Sequence, residues 1–438
     1  MNRLLREREA QAEPIRVALV GAGAMGVGIA WQVGRTPGMR LVAVTDLDLA
    51  AAGRAAEAYQ AGFAAAQRPG SAAASGVFQS STPEIGGAAP GFDVLVEATN
   101  TIGFAGQVCL DAIDAGAHVV LMNAEVDLAL GPMLNRHADE RGVVVTSDAG
   151  DQHGVLARMI DEIALWGFRI VMAGNIKGFL DRHATAEGLA HEAKIRNLNP
   201  VQCCAYTDGT KLNIEMALLC NGYGLVPWVR GMEGPRAADV LEAFQHFDLD
   251  RYGATGVVDY LLGAEPGGGV FVVGHCDDPL QARYLSYYKL GDGPHYLFYR
   301  PYHLCHLETT RAIARAALYG EACLTPAHGR VADVYAVAKR DLAAGEAVPH
   351  GIGGDHAYGL IERCAVGDGA GLVPIALFEA EGRSTARIRR AVPRNAALTW
   401  DDVALPGTWL VDAFRAQLGD QALAPVPAVP REGARVAG

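Results

Sequence analysis

Ile15-Arg-Val-Ala-Leu-Val20 runs directly into Gly21-Ala-Gly23-Ala24-Met25-Gly26. A short apolar run that ends on a glycine reads as a buried parallel strand. The G-x-G-x-x-G string that follows opens a helix reaching about residue 34, so the pair reads as the first turn of a Rossmann sheet. Each glycine has its own reason. Gly21 permits the tight turn, Gly23 lets a diphosphate approach the backbone, and Gly26 lets the helix lie close on the sheet. The backbone N–H groups of the first helical turn, with Ala24 and Met25, then face an anion. A second strand over 41–45 ends at Asp46, about 20 residues past Gly26, the interval expected for a ribose-binding acid. That carboxylate would accept hydrogen bonds from an adenosine ribose and repel a 2′-phosphate, which favours NAD over NADP. Two alternatives stay open: Asp46 as a mere helix cap, and Arg54 admitting NADP.

Working outward, apolar runs at 93–98, 118–122 and 143–146 alternate with helical stretches at 49–63, 106–115 and 131–141. Strands alternating with helices indicate a parallel sheet covered on both faces. Ligands bind such sheets beyond the carboxyl ends of the strands. Thr99, Asn100, Asn123 and Glu125 follow two of those ends and are candidates for the nicotinamide ribose and the substrate side, although each is equally explained as a loop cap. Past residue 150 the pattern becomes α+β: helices at 154–166, 210–222 and 304–319, strands at 169–173, 270–273 and 295–299, and a polar run from 178 to 200. The helix at 304–319 is expected to pack back on the first domain. From 328, short apolar runs separated by glycine-rich turns read as a small β-rich module. The expected organisation is an N-terminal arm (1–14), an α/β doubly wound Rossmann domain (15–150), an α+β catalytic and dimerisation domain (151–327), the β-rich module (328–405) and a tail (406–438). The end of that tail is Pro/Ala-rich and expected to be disordered.

The chain has 438 residues and a formal net charge of −12. That balance argues against nucleic-acid and anionic-membrane partners, which need clustered cations. It leaves a small-molecule substrate as the partner, in an expected homo-oligomer. No apolar run approaches the ~18 residues of a membrane span, and the charged start lacks the apolar core of a signal peptide. The eight cysteines are scattered without a C-x-x-C pair. They read as reduced thiols, and the expected location is cytoplasmic.

The chemistry-bearing residues gather in two stretches. Gly174-Asn-Ile-Lys177-Gly178 follows a strand, with Arg182 shortly after. Asp208-Gly-Thr210-Lys211-Leu-Asn213-Ile-Glu215 starts a helix on which Lys211 and Glu215 are spaced i,i+4 and share a face. Such a helix start suits acid–base work on a polar substrate; it equally describes a capped helix with one surface ion pair. His303, His306 and Glu308 have a spacing that zinc could use, but no third ligand has metal-like spacing, so they read as helix-surface residues and no metal site is assigned.

These motifs resemble a known family. Gly174-Asn-x-Lys177-Gly178 and Asp208-Gly-x-Lys211 are similar to the homoserine dehydrogenase superfamily. Phe298-Tyr-Arg300-Pro-Tyr302-His303-Leu304, Lys339-Arg340-Asp341-Leu342-Ala-Ala-Gly345-Glu346 and Val392-Pro-x-x-x-x-Leu398-Thr399-x-x-Asp402-Val403 resemble the branch that carries a C-terminal SAF domain. Its best-known members are the deoxyxylulose phosphate reductoisomerase-like enzymes, and the likeness spans roughly residues 15 to 405. The resemblance implies an oxidoreductase using NAD or NADP, with Lys211 as acid–base group, Lys177 as the second lysine of the pattern, and Asp208 and Glu215 orienting Lys211 or the substrate. It implies that Lys177, Arg182 and Arg300 hold a phosphate or other anion, with Asn213 and His153 on the substrate side. For an isomerising enzyme it implies a divalent metal on carboxylates such as Glu125, Asp208 and Glu215. His153 stands where this branch would have a proline. Lys211 is expected to have a lowered pKa, from burial or neighbouring cations. Three readings follow: plain hydride transfer on a small polar hydroxy or carbonyl compound, phosphorylated or not; isomerisation coupled to redox; and a protein that binds NAD without turnover.

Overall fold

The computed structural model describes residues 1–68, 76–82, 91–195, 199–253, 255–379 and 385–420. Parts of the glycine-rich stretch between 70 and 91, and the Pro/Ala-rich end past 420, lie outside those residues. The N-terminal arm is helix α1 (Asn2–Ala10). It packs through Leu5 onto Gly38, where any side chain would meet the Leu5 backbone at 2.1 Å.

The first layer is a six-stranded sheet of β1 (Ile15–Val20), β2 (Met39–Thr45), β3 (Phe78–Ser80), β4 (Val94–Glu97), β5 (His118–Leu121) and β6 (Val145–Ser147), in the order β3-β2-β1-β4-β5-β6. Every pairing in it is parallel. Reversal of strand order at β1/β4 is the doubly wound topology, with its crevice at the carboxyl edge. Helices α2 (Ala24–Arg35), α3 (Leu49–Ala65), α4 (Gly103–Asp114) and α5 (Ala124–Arg141) connect the strands. Two of these start earlier than the sequence suggests. Gly131-Pro132 looks like a helix start, yet α5 begins at Ala124, capped by Asn123, whose side chain accepts from Val126 N, and Pro132 sits inside it. An internal proline removes one backbone donor, leaving the Leu128 carbonyl without its helical partner.

A second, mixed sheet combines β7 (Arg169–Lys177), β8 (Val226–Pro227), β9 (Val257–Leu262), β10 (Val270–His275) and β11 (His295–Arg300) in the order β11-β10-β7-β9-β8. Around it lie α6 (Gln152–Leu165), α7 (Ala190–Ile195), α8 (Pro200–Thr207), α9 (Thr210–Tyr223), α10 (Ala243–His246), α11 (Pro279–Tyr287) and α12 (Cys305–Tyr319). The last of these returns to the first domain and packs on α2 so closely that a Cβ on Gly28 would meet the His306 ring at 2.7 Å.

The C-terminal module pairs β12 (Ala332–Ala338) with β14 (Ala357–Arg363), and separately β13 (Ala347–Val348), β15 (Ala386–Ile388) and β16 (Val403–Ala404); α13 (Cys364–Gly367) follows β14. Its first sheet lies on α9. There Gly359 N donates to Thr210 Oγ1 at 2.8 Å, Ile361 N to Asn213 Oδ1 at 2.8 Å and Val331 N to Asn221 Oδ1 at 2.8 Å. The first part of the expected tail is helical. Residues Trp409–Asp420 form helix α14, which packs on α4 and α5. Leu410, Val411 and Phe414 are buried there, and the Gln417 side chain bonds Met133 N and Ala129 O. Thr408 caps the helix weakly, through Val411 N at 3.4 Å.

Candidate active site

The glycine loop is built as its sequence requires. Gly21 has φ +93°, and a Cβ there would lie 2.5 Å from the Ala98 carbonyl group at the end of β4. A Cβ on Gly26 would lie 2.0 Å from Gly21 O. Gly23 is different: a Cβ would meet nothing within 4 Å. Its hydrogen therefore faces open space at the start of α2, where a diphosphate would lie against the backbone of Ala24 and Met25. Asp46 reaches back over this loop, accepting from Ala22 N at 2.7 Å and from Asp48 N at 2.9 Å. The cap of α3 is Asp48, not Asp46. Arg54 pairs with Asp48 at 3.4 Å.

Along the same carboxyl edge, Asn123 is a tie more than a contact surface. It is buried, caps α5 and donates to Thr101 O at 2.7 Å. The Thr99 hydroxyl lies 3.0 Å from that of Thr101, and Asn100 is exposed. Glu97, at the end of β4, is fully buried, and burial raises its pKa to about 7. It accepts from Thr99 N at 2.8 Å.

A cluster of titratable side chains forms where the N-terminal ends of α5, α6, α9 and α12 meet. Lys211 Nζ lies 2.9 Å from the Glu125 carboxylate, with both side chains largely buried. Burial alone would lower the pKa of Lys211, but Glu125, Tyr206 and Asp151 outweigh it and hold the ammonium above its ordinary value. The expected lowering is therefore reversed, because the neighbours are acids and the one nearest makes a direct ion pair. Glu215 is fully buried one turn along α9. Burial, then the Asp151 charge, raise its pKa to about 8, against the pull of Lys177 and Lys211. Asn175 Nδ2 lies 3.5 Å from its Oε2. Asp151 caps α6 and is lowered: burial pushes up, but His153, Lys211 and His303 prevail. His153 is 1% exposed, with no hydrogen-bond partner at either ring nitrogen, and burial lowers its pKa.

Other candidates are used elsewhere. Asp208 ion-pairs with Lys339 at 2.8 Å, both buried, and accepts from Thr210 N at 2.8 Å at the start of α9. It anchors the C-terminal module and does not orient Lys211. Asn213 Oδ1 accepts from Ile361 N and its Nδ2 donates to Gly209 O at 2.8 Å, so both ends are committed to the fold. Arg300 is held by Glu308 at 2.9 Å and stacks over Tyr302. Arg182 is exposed and its charge acts on Tyr260 and Tyr358. The proposed anion clamp of Lys177, Arg182 and Arg300 is thus not assembled by these contacts. The carboxylates proposed for a divalent metal do not fit one either, since lysine ammonium groups neutralise both Glu125 and Asp208. Nor do His303 and His306 converge with Glu308: His306 lies against α2, and Glu308 pairs with Arg158 and Arg300.

Sequence reading missed Asp151, Glu97, Tyr206 and Cys305. Asp151 had a readable signal, an acid following a Rossmann strand end and capping the next helix.

Residues 150–309 match the family model described as oxidoreductase DRL, catalytic domain. That stretch contains Asp151, His153, Lys177, Lys211, Glu215 and His303, and the oxidoreductase class stands on it. A search of the curated proteins finds no match. Among solved structures, the chain is similar to GenD2 from gentamicin A biosynthesis in complex with NAD (14% identity, 72% of this chain and 89% of that one, TM-score 0.39). It is also similar to myo-inositol 2-dehydrogenase from Lactobacillus plantarum (14%, 60% and 75%, TM-score 0.34). A third is 1-deoxy-D-xylulose 5-phosphate reductoisomerase from Zymomonas mobilis in complex with NADPH (16%, 46% and 56%, TM-score 0.33). Likenesses this distant bear on neither substrate nor residue roles.

Proposed function

We propose that this chain is a nicotinamide-dependent oxidoreductase that moves hydride to or from a small polar hydroxy or carbonyl compound, with Lys211 handling the proton at the substrate oxygen. The observation that carries this reading is the buried Lys211–Glu125 pair, set on the sheet's carboxyl edge that also carries the glycine loop. Gly21, Gly23, Gly26 and Asp46 would hold the dinucleotide, and the open space at Gly23 suits it. Bound there, the nicotinamide supplies or accepts the hydride. Lys211, kept protonated by its acidic neighbours, is poised to donate a hydrogen bond and then a proton to an oxygen that gains negative charge. In the opposite direction, Glu125 is the carboxylate paired with Lys211 and the acceptor beside it. The Asp46 carboxylate over the loop favours NAD.

Coupled isomerisation is the weaker reading. Two of the three carboxylates it would assign to a metal, Glu125 and Asp208, are ion-paired with lysines, and Arg300, one of the cations it would assign to a phosphate, is paired with Glu308. Direct titration of purified protein with NADH and NADPH tests the proposal, followed by turnover of Lys211→Ala on an active hydroxy compound. Submicromolar to micromolar NADH binding that survives Lys211→Ala, with turnover lost by about 10²–10⁴-fold, is the expected result. Full turnover by Lys211→Ala would sink the acid–base assignment. Binding of neither dinucleotide would sink the cofactor assignment, and binding without any turnover would favour a sensor.

A further inference from the structure

We propose that Asp151, His303 and Cys305 form a binding site for a zinc-class divalent transition metal, placed beside Lys211. One carboxylate oxygen, one ring nitrogen and the sulfur of these residues all lie within 4.8 Å of one another, and no other described group of three His, Cys, Asp or Glu residues does so. Metal bonds of about 2.0–2.3 Å at tetrahedral angles would put ligand atoms roughly 3.3–3.7 Å apart, so no pair of the three needs to close by more than about 1.5 Å. Asp151 Oδ1 and Cys305 Sγ stand 4.0 Å apart.

Three features of the surroundings point to a ligand. His303 Nδ1 lies 2.7 Å from the Gly268 carbonyl oxygen, which fixes the ring proton on Nδ1 and leaves Nε2 with its lone pair. A metal-ligating histidine is commonly oriented this way. Asp151 and Cys305 sit at the starts of two different helices, α6 and α12, so packing of the helices presets their separation. His153, buried and unpartnered at both nitrogens, borders Asp151 and could hydrogen-bond a metal-bound water or substrate oxygen. Sulfur and imidazole with one carboxylate select zinc or cobalt over magnesium. Three protein ligands leave a fourth position, the arrangement of catalytic zinc sites. This set is distinct from Glu125, Asp208 and Glu215, and from the His303/His306 pairing.

Metal binding here stands apart from the hydride-transfer reading. Its use in polarising a substrate oxygen rests on that reading. Tag-free full-length protein, stripped with a chelator, should be titrated with Co²⁺ and followed by absorbance. Expected are saturation at one ion per chain, ligand-field bands of tetrahedral intensity and a thiolate-to-cobalt charge-transfer band. Cys305→Ser should abolish the charge-transfer band, and His303→Gln should weaken cobalt affinity roughly tenfold or more. His306→Gln, altered on the α2 side, should bind as the parent does. Circular dichroism confirms that each variant is folded; if Cys305→Ser is not, Asp151→Asn takes its place and should weaken cobalt binding likewise. No saturable binding overturns the site, as does a charge-transfer band that survives Cys305→Ser or an affinity that ignores His303→Gln. A protein that binds cobalt this way but neither dinucleotide would keep the site and lose the proposed function; the reverse outcome would do the opposite.

Discussion

Lys211 shows how one contact reverses the chemistry expected of a residue. A buried lysine alone would favour the neutral amine, since burial penalises charge. Glu125 at 2.9 Å overrides this and keeps it an ammonium. Removing that charge with Glu125→Gln should lower the Lys211 pKa. In the oxidative direction the amine must accept a proton, so the rise of kcat/KM with pH should then move down by a unit or more. An unchanged profile would show that Glu125 does not control Lys211. The glycine loop supplies a sharper pair. A methyl on Gly23 meets nothing in the free protein, whereas one on Gly26 would strike Gly21 O at 2.0 Å. Gly23→Ala should therefore keep its melting temperature and lose dinucleotide affinity, while Gly26→Ala should lose stability. Equal melting temperatures for both variants would contradict the packing role of Gly26.

Helix α9 is where element-scale packing decided what the sequence left open. Its start gathers Asp208, Thr210, Lys211, Asn213 and Glu215, and a polar cluster of that kind reads as one site. The helix has two faces. Lys211 and Glu215 turn toward α5 and α6, whereas Asp208, Thr210 and Asn213 stitch the C-terminal module to the helix. Spacing identified the i,i+4 pair, but which polar groups meet a ligand depends on which face the later β-strands cover. The Rossmann half was legible, the edge strand β3 apart, because its other strands and its loop glycines follow from local sequence. Strand β9 and helix α14 were not, because their burial comes from distant neighbours, and Thr408 is only a weak cap signal. Asp151, His303 and Cys305 are likewise joined only by the packing of α6 against the turn into α12. Asn213→Ala tests the stitching role. It leaves the Ile361 N–H buried without an acceptor, which should cost about 1–3 kcal/mol in denaturant unfolding. Dinucleotide affinity should stay as in the parent. An unchanged unfolding midpoint would mean that the module does not depend on this bond.

Across the whole molecule, burial of acids sets an unusual dependence of stability on pH. Glu97, Asp127, Asp148 and Asp259 are fully buried, and burial raises each pKa to about 7; Glu215 is raised to about 8. In the unfolded chain these groups ionise near 4. Between those values the folded protein holds protons that the unfolded chain has released, so stability falls as pH rises. Burial also lowers the pKa values of His118, His153, His295, His306 and His356. Their unfolded pKa is near 6.5, so they oppose folding only as pH drops below it. Below about 6.5 the two sets work against each other; from about 6.5 to 8 the acids act alone. Each acid contributes at most about 1.4 kcal/mol per pH unit until its own folded pKa is passed. The melting temperature should therefore fall between pH 6.5 and 8, and Asp127→Asn should shrink that fall. Asparagine keeps the neutral form that Asp127 has in the fold, along with its hydrogen bond to the Ser147 hydroxyl. A melting temperature that is flat or rising across this window would mean that the acids are ionised in the folded protein, with counter-charges or solvent reaching them.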